Sequence, residues 1–137
     1  VEEGAAKVGK VAERSQWRIA RHVFVADTTR EARELALAGT MARDYRDYFL
    51  HLLPKVKMLD LMKSDPDMPD AEVTLEYLLD NIWIVGSPDE VTAKLQQLYE
   101  EVGGFGVLLA MGHEWEPKQA WLHSMKLLRQ EVLPRLG

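Results

Sequence analysis

The 137 residues carry 17 Lys and Arg against 22 Asp and Glu, a formal net charge of -5, with 47% apolar and 28% charged residues and no cysteine. This size suits one domain with one core. The acidic balance disfavours nucleic acid, the missing thiols exclude disulfides, thiol nucleophiles and thiolate metal sites, and no apolar run nears the ~20 residues of a membrane span. Basic residues are interleaved with acids, as in ARDYRDY from Ala42 to Tyr48, rather than gathered in a stripe. No signal segment or lipidation motif opens the chain, so cytoplasmic residence is the expectation.

The opening VEEGAAKVGKVA has helical composition without an initiating Met, which points to the tail of a helix from Val1 to about Ala12, loosened at Gly9, in a piece of something longer. Next, WRIARHVFVAD, Trp17 to Asp27, puts Trp17, Ile19, Val23 and Val25 on one face of a strand and Ala20, Phe24 and Ala26 on the other. Apolar groups on both faces suit a parallel sheet covered by helices, with Arg18, Arg21 and His22 near an end or reaching solvent. Thr28 and Glu31 form a capping box, and Leu35, Ala38, Ala42, Tyr45, Phe49 and Leu52 keep one apolar stripe along a long helix until Pro54 ends it.

Residues 55–81 are less regular. KVKMLDLMK is expected as a short helix, SDPDMPD as a turn-rich break, and AEVTLEYLLDN as a helix started by Pro69. Its many apolar residues must pack on something. Ser87, Pro88 and Glu90 then open a capped helix with Val91, Leu95, Leu98, Tyr99 and Val102 as its buried stripe, stopped by Gly103 and Gly104. FGVLLAM reads as a buried strand, broken by Gly112, His113, Glu114 and Trp115. The last helix follows Pro117, with Trp121, Met125, Leu128 and Val132 at helical spacing. Alternating strands and helices imply a parallel sheet, but two strands leave two open edges.

Several chemical patterns fail. His22, His51, His113 and His123 lack the HExxH spacing of a zinc site, so no metal is expected. Asp65, Asp67 and Asp70 are interrupted by Pro66 and Pro69 and suit a solvated turn better than a calcium loop. Ser124 is outside any GxSxG context and suits packing or a backbone contact. VGSP precedes a helix, but one glycine makes a helix cap rather than a phosphate loop.

The succession VFVADTTREARE, an insertion, VGSPDEVTAKLQQLYEEVGGFGVLLAMGHEW and SMKLLRQEVLP resembles the C-terminal portion of the bacterial-luciferase-like flavin-dependent monooxygenases, from about Trp17 to Pro134. The resemblance implies an α/β fold that is part of an eight-stranded β/α (TIM) barrel, with the two strands as its seventh and eighth. It implies that residues 55–81 are a lid at the mouth. It further implies reduced FMN and dioxygen as co-reactants and a small apolar organic substrate in the full-length enzyme. A chain with six strands missing is expected to bind no flavin by itself and to be inactive. Active sites of such barrels sit at the C-terminal ends of the strands. Asp27, Thr28, His113, Glu114 and Trp115 are therefore candidates for the mouth, though each also suits an ordinary loop or packing role. Met58, Met62 and Tyr77 could line a substrate channel or cover barrel helices. No flavin-binding residue is assigned. The open strand edges favour a homo-oligomer, and they leave a second possibility, a non-catalytic αβ module that associates through those edges.

Overall fold

The computed structural model describes residues 2–136; Val1, expected at the start of the first helix, lies outside the described residues. In chain order the elements are α1 (Glu2–Lys7), β1 (Arg18–Val25), α2 (Thr29–Ala38), α3 (Thr40–Asp44), α4 (Leu50–Lys55), α5 (Leu75–Asn81), β2 (Ile84–Gly86), α6 (Pro88–Glu101), β3 (Val107–Met111) and α7 (Lys118–Leu127). They make a helix-rich α/β fold around a small parallel sheet of order β2-β1-β3.

β1 pairs with both neighbours over different halves. Arg18 to His22 lie opposite Val107 to Met111, and Val23 to Val25 lie opposite Ile84 to Gly86. The two expected strands are thus adjacent and parallel. The third strand was not expected: at three residues it is too short to show a period of its own between a helix end and a helix cap. Alternation divides the core as the sequence implied. Val23 and Val25 pack with Ile84, Val91, Leu95, Leu127 and Val132, whereas Phe24 and Ala26 pack with Ala36, Met41, Tyr45, Trp83 and Trp121.

Burial on both faces holds only for the second half of β1. FGVLLAM, expected to be buried, is largely open: Val107, Leu109 and Met111 are 41%, 47% and 42% exposed. In a parallel register these three share a face with Arg18, Ala20 and His22. Among the described residues no element lies across this half of the sheet, and β3 is paired along one edge only.

The single long helix after Thr28 is broken. Gly39 leaves the helical region at φ -93°, ψ -166°, its N–H still donating to Leu35 O at 2.9 Å. A Cβ there would lie 2.7 Å from that carbonyl oxygen. The chain restarts at Thr40, widens into a π-helical turn over Tyr45–Phe49, and ends at Lys55 with Pro54 inside the last turn rather than terminating it.

Residues 55–81 also depart from expectation. The helix expected over KVKMLDLMK is one tight turn, Leu59–Met62, after Lys57 adopts a left-handed φ of 56°. Pro69 opens only a short turn, Asp70–Glu72, and α5 starts at Leu75, where the Thr74 hydroxyl accepts from Tyr77 N. Leu59, Val73, Leu78 and Leu79 are buried, so the segment is part of the core. Asp65 accepts from Asp67 N in a local turn, and Lys63 pairs with Asp60 and Asp70.

The caps are where sequence logic holds best, with one change of partner. Thr28 accepts from Glu31 N and Ser87 from Glu90 N. Glu90, however, does not reach back to Ser87. The Thr29 hydroxyl accepts from Ser87 N at 3.2 Å and donates to Glu90 at 2.6 Å, while Lys94 pairs with the same carboxylate at 2.9 Å. Burial opposes the charge on Glu90, but these contacts more than offset it and hold the carboxyl below its ordinary value. Gly103 and Gly104 end α6 at φ +72° and +97°.

Tyr99 and Met125, expected in buried stripes, are exposed. Tyr99 turns to Phe105 beyond the helix end. In the last helix Trp121, Ser124 and Leu127 face inward, and a wide turn over Leu128–Val132 rotates Val132 into the core.

Gly106 admits the first residues of β3 to β1: its N–H donates to Trp17 O, and a Cβ would lie 1.6 Å from Ser15 O. Gly106→Ala is expected to cost about 1–3 kcal/mol in urea denaturation through forced backbone displacement. Gly4→Ala, with open space around its Cβ position, is expected to leave stability unchanged or slightly higher.

Candidate functional site at the carboxyl ends of the paired strands

The register that sets His22 opposite Met111 delivers the Gly112–Trp115 turn beside the second half of β1. There four side chains from distant parts of the chain join. The His113 side chain, 5% exposed, meets Asp44 Oδ2 through Nδ1 at 2.7 Å and His22 Nδ1 through Nε2 at 2.9 Å. The two imidazoles stack with centroids 4.9 Å apart. On the far side, His22 Nε2 meets the Tyr45 hydroxyl at 2.8 Å.

Burial pushes the His22 imidazole down to about 4, aided by neighbouring His113 and Arg21 and opposed by Asp44. It is therefore neutral over the ordinary range. Burial likewise raises the Tyr45 hydroxyl, with the Trp83 N–H acting the other way. His22 was expected near a strand end or in solvent; instead it is half-buried at mid-strand, because two partners, His113 and Tyr45, satisfy its two ring nitrogens.

The other sequence candidates divide into two places. Glu114 joins the same corner: its carboxylate pairs with Arg43 at 2.6 Å, and its carbonyl accepts from the Thr40 hydroxyl. Arg43 also lies within 4 Å of Asp44 and Glu116. Trp115 is exposed and lines an apolar groove with Met111, Trp121, Met125 and Leu133. Asp27 is directed to α7, where it pairs with His123 at 2.9 Å, and Thr28 caps α2. Neither contacts the histidine pair.

Of the lid candidates, Met62 lines a cavity of about 700 Å³ together with His22, Tyr45, Phe49, Leu53 and Met111. The Tyr77 hydroxyl accepts from Ser64 N and bonds Ser64 Oγ, while Met58 is exposed and does not line that cavity.

Sequence reasoning missed His22, Asp44 and Tyr45. Their one visible signal was a histidine at the point where the strand turns from mixed to wholly apolar, before Val23, Phe24 and Val25. Ser124 makes the backbone contact expected of it, accepting from Val25 N at 2.7 Å. Among the described residues no group of three His, Asp or Glu side chains is arranged to hold a metal, and no helix is long and apolar enough to cross a membrane.

No family model matches the chain. It is 33% identical over 135 residues to the 3,6-diketocamphane 1,6-monooxygenase of Pseudomonas putida, covering 98% of this chain and 36% of that protein. It is 30% identical over 125 residues to a 2,5-diketocamphane 1,2-monooxygenase of the same organism, covering 89% and 34%. Among solved structures it superposes with a TM-score of 0.87 and 32% identity on the oxygenating constituent of 3,6-diketocamphane monooxygenase, a type II Baeyer-Villiger monooxygenase in complex with FMN. That match covers 98% of this chain and 37% of the other. The chain thus spans about a third of the length of the relatives it matches.

The histidine cluster makes stability depend on acid. Folded His22 stays neutral down to about pH 4, whereas the unfolded chain takes up that proton near 6.5. Between the two the unfolded state binds more protons, so stability falls as pH drops from about 6.5 to about 4, by at most about 3 kcal/mol from this group. Urea denaturation at about pH 7 and pH 4.5 is expected to show a smaller acid loss for His22→Gln than for the unmodified chain. Equal losses would mean that His22 does not carry the effect.

Proposed function

We propose that this chain, homologous to the luciferase-like flavin-dependent monooxygenases, completes the barrel of such an enzyme, with β1 and β3 as its seventh and eighth strands. The assembled enzyme uses reduced FMN and dioxygen to oxygenate a small apolar organic substrate, the class to which the substrates in its relatives' names belong. Residues 55–81 form the cover at the mouth. The observation that carries this reading is the uncovered apolar sheet face. Ala20, Val107, Leu109 and Met111 form the inner wall of a cylinder whose other strands lie outside this chain, and helices α6 and α7 pack behind it.

The residues present fit one part of a flavin and not the other. The flat apolar strip from Ala20 to Met111 suits an aromatic ring system. The Ser87 helix start does not suit its phosphate, because the Glu90 carboxylate already occupies that end. Bound flavin would supply the electrons and the oxygen-activating chemistry. This chain's residues would shape the apolar wall, exclude water and hold the neutral His22 imidazole at its rim.

A fluorescence titration of FMN tests the reading. The 137-residue chain alone is expected to give no saturable binding, and the same chain joined to the preceding strands of a relative is expected to bind. Tight binding by the isolated chain would contradict the division of labour between its wall and the absent strands.

The same open edge of β3 supports a second reading, a non-catalytic module that self-associates through that edge. Under it, light scattering is expected to give a homo-oligomer that a proline at Leu109 disperses. A clean monomer would remove this alternative.

A further inference from the structure

The hydrogen bonds around the histidine pair form one line, and the chemistry of its carboxylate end sets its direction. Asp44 as a carboxylate can only accept, so His113 Nδ1 carries a proton and donates. His113 Nε2 is then left as an acceptor, so His22 Nδ1 is the donor across the 2.9 Å contact. His22 Nε2 must in turn accept from the Tyr45 hydroxyl. The ring of Trp83 lies edge to face with Tyr45 at 5.0 Å, its buried indole N–H without a hydrogen-bond partner among the described residues. With one proton on each ring, the acceptor-only Asp44 leaves each imidazole one permitted tautomer.

We propose that Asp44 is a positioning residue that acts through His113 to lock His22 as the neutral Nδ1–H tautomer, with Nε2 held as an acceptor at the cavity wall. In the oxygenase reading, on which this role rests, the consequence is that His22 adds no further positive charge to a cavity wall that already includes Arg21 and Lys94. The groups around the line serve this arrangement. From β1, Arg21 disfavours a charge on His22. From α3, Arg43 is held by Glu114 and lies within 4 Å of Asp44, so the carboxylate at the end of the line has a cation beside it. Asp44 retains partial access to solvent, whereas the imidazole it orients is almost enclosed. His22 lines the cavity of about 700 Å³ and Asp44 does not, so Asp44 exerts its effect through the two rings.

Long-range proton–nitrogen NMR correlations of the four imidazoles in 15N-labelled protein test this without flavin, substrate or turnover. Near neutral pH both His22 and His113 are expected to be neutral with the proton on Nδ1, the reverse of the tautomer favoured by free histidine. Either ring carrying its proton on Nε2 would overturn the assignment. Asp44→Asn introduces a side chain that can donate as well as accept. It is expected to lower the Nδ1–H fraction at least about twofold in both rings, including His22, which Asp44 does not touch. A change confined to His113 would show that the rings are not coupled.

Asp44→Glu restores an acceptor-only group and is expected to return both tautomers. Tyr45→Phe removes the opposite contact and is expected to leave them unchanged; tautomers that follow Tyr45 rather than Asp44 would place control at the wrong end. If Asp44→Asn fails to fold, the unmodified protein and Tyr45→Phe still decide the matter. Tight FMN binding by the isolated chain in the titration above would overturn that reading and leave these flavin-free resonances as they are, so the two ideas fail separately.

Discussion

The structure depends on how β1 spends its two edges. Its first five residues hydrogen-bond β3 and its last three hydrogen-bond β2, so one eight-residue strand is central to the sheet without having two partners at any one level. The half beside β2 is sealed by helices on both faces. The half beside β3 is only partly covered on one face, where Ile19 and Leu108 are half-buried, and open on the other. His22 stands at the change from one regime to the other, where an imidazole can be half-buried and still find two hydrogen-bond partners.

From that position the cluster links parts of the chain that share no local structure. Asp44 and Tyr45 come from the stretch where the long helix is interrupted, His113 from the turn after β3, and Trp83 from the approach to β2. The break at Gly39 is a precondition. It lets Thr40 hold the Glu114 carbonyl while Arg43 and Asp44 hold the side chains of the same turn. An uninterrupted helix would carry its axis past this corner. Closely spaced neutral hydrogen bonds of fixed polarity are stronger and more directional inside a protein than in water, and a buried donor or acceptor left without its partner is correspondingly costly.

The exposed apolar strip on β3 and the enclosed histidine pair belong to one design. A wall made of Val107, Leu109 and Met111 has value only when something apolar lies against it. The polar line ends just where that wall stops, at the level of Met111 and His22. Under the proposed oxygenase reading the two features serve one end, keeping water away: a dry surface, and a polar line whose groups are already satisfied by one another.

The sequence by itself determined the elements whose cause is local. The caps at Thr28 and Ser87, the glycine stop at Gly103 and Gly104, the alternation of Val23 and Val25 against Phe24 and Ala26, and the backbone role of Ser124 all follow from side chains acting on their own neighbourhood, or from a period that burial enforces. Only the tertiary structure decided the rest. A three-residue strand has no period to read, and a helix break at Gly39 is indistinguishable in sequence from a tolerated glycine. Thr29 intrudes on a cap 58 residues away. His22 finds His113 across 91 residues, and such a pairing exists because two strands run parallel in one register, a relation that no local pattern encodes.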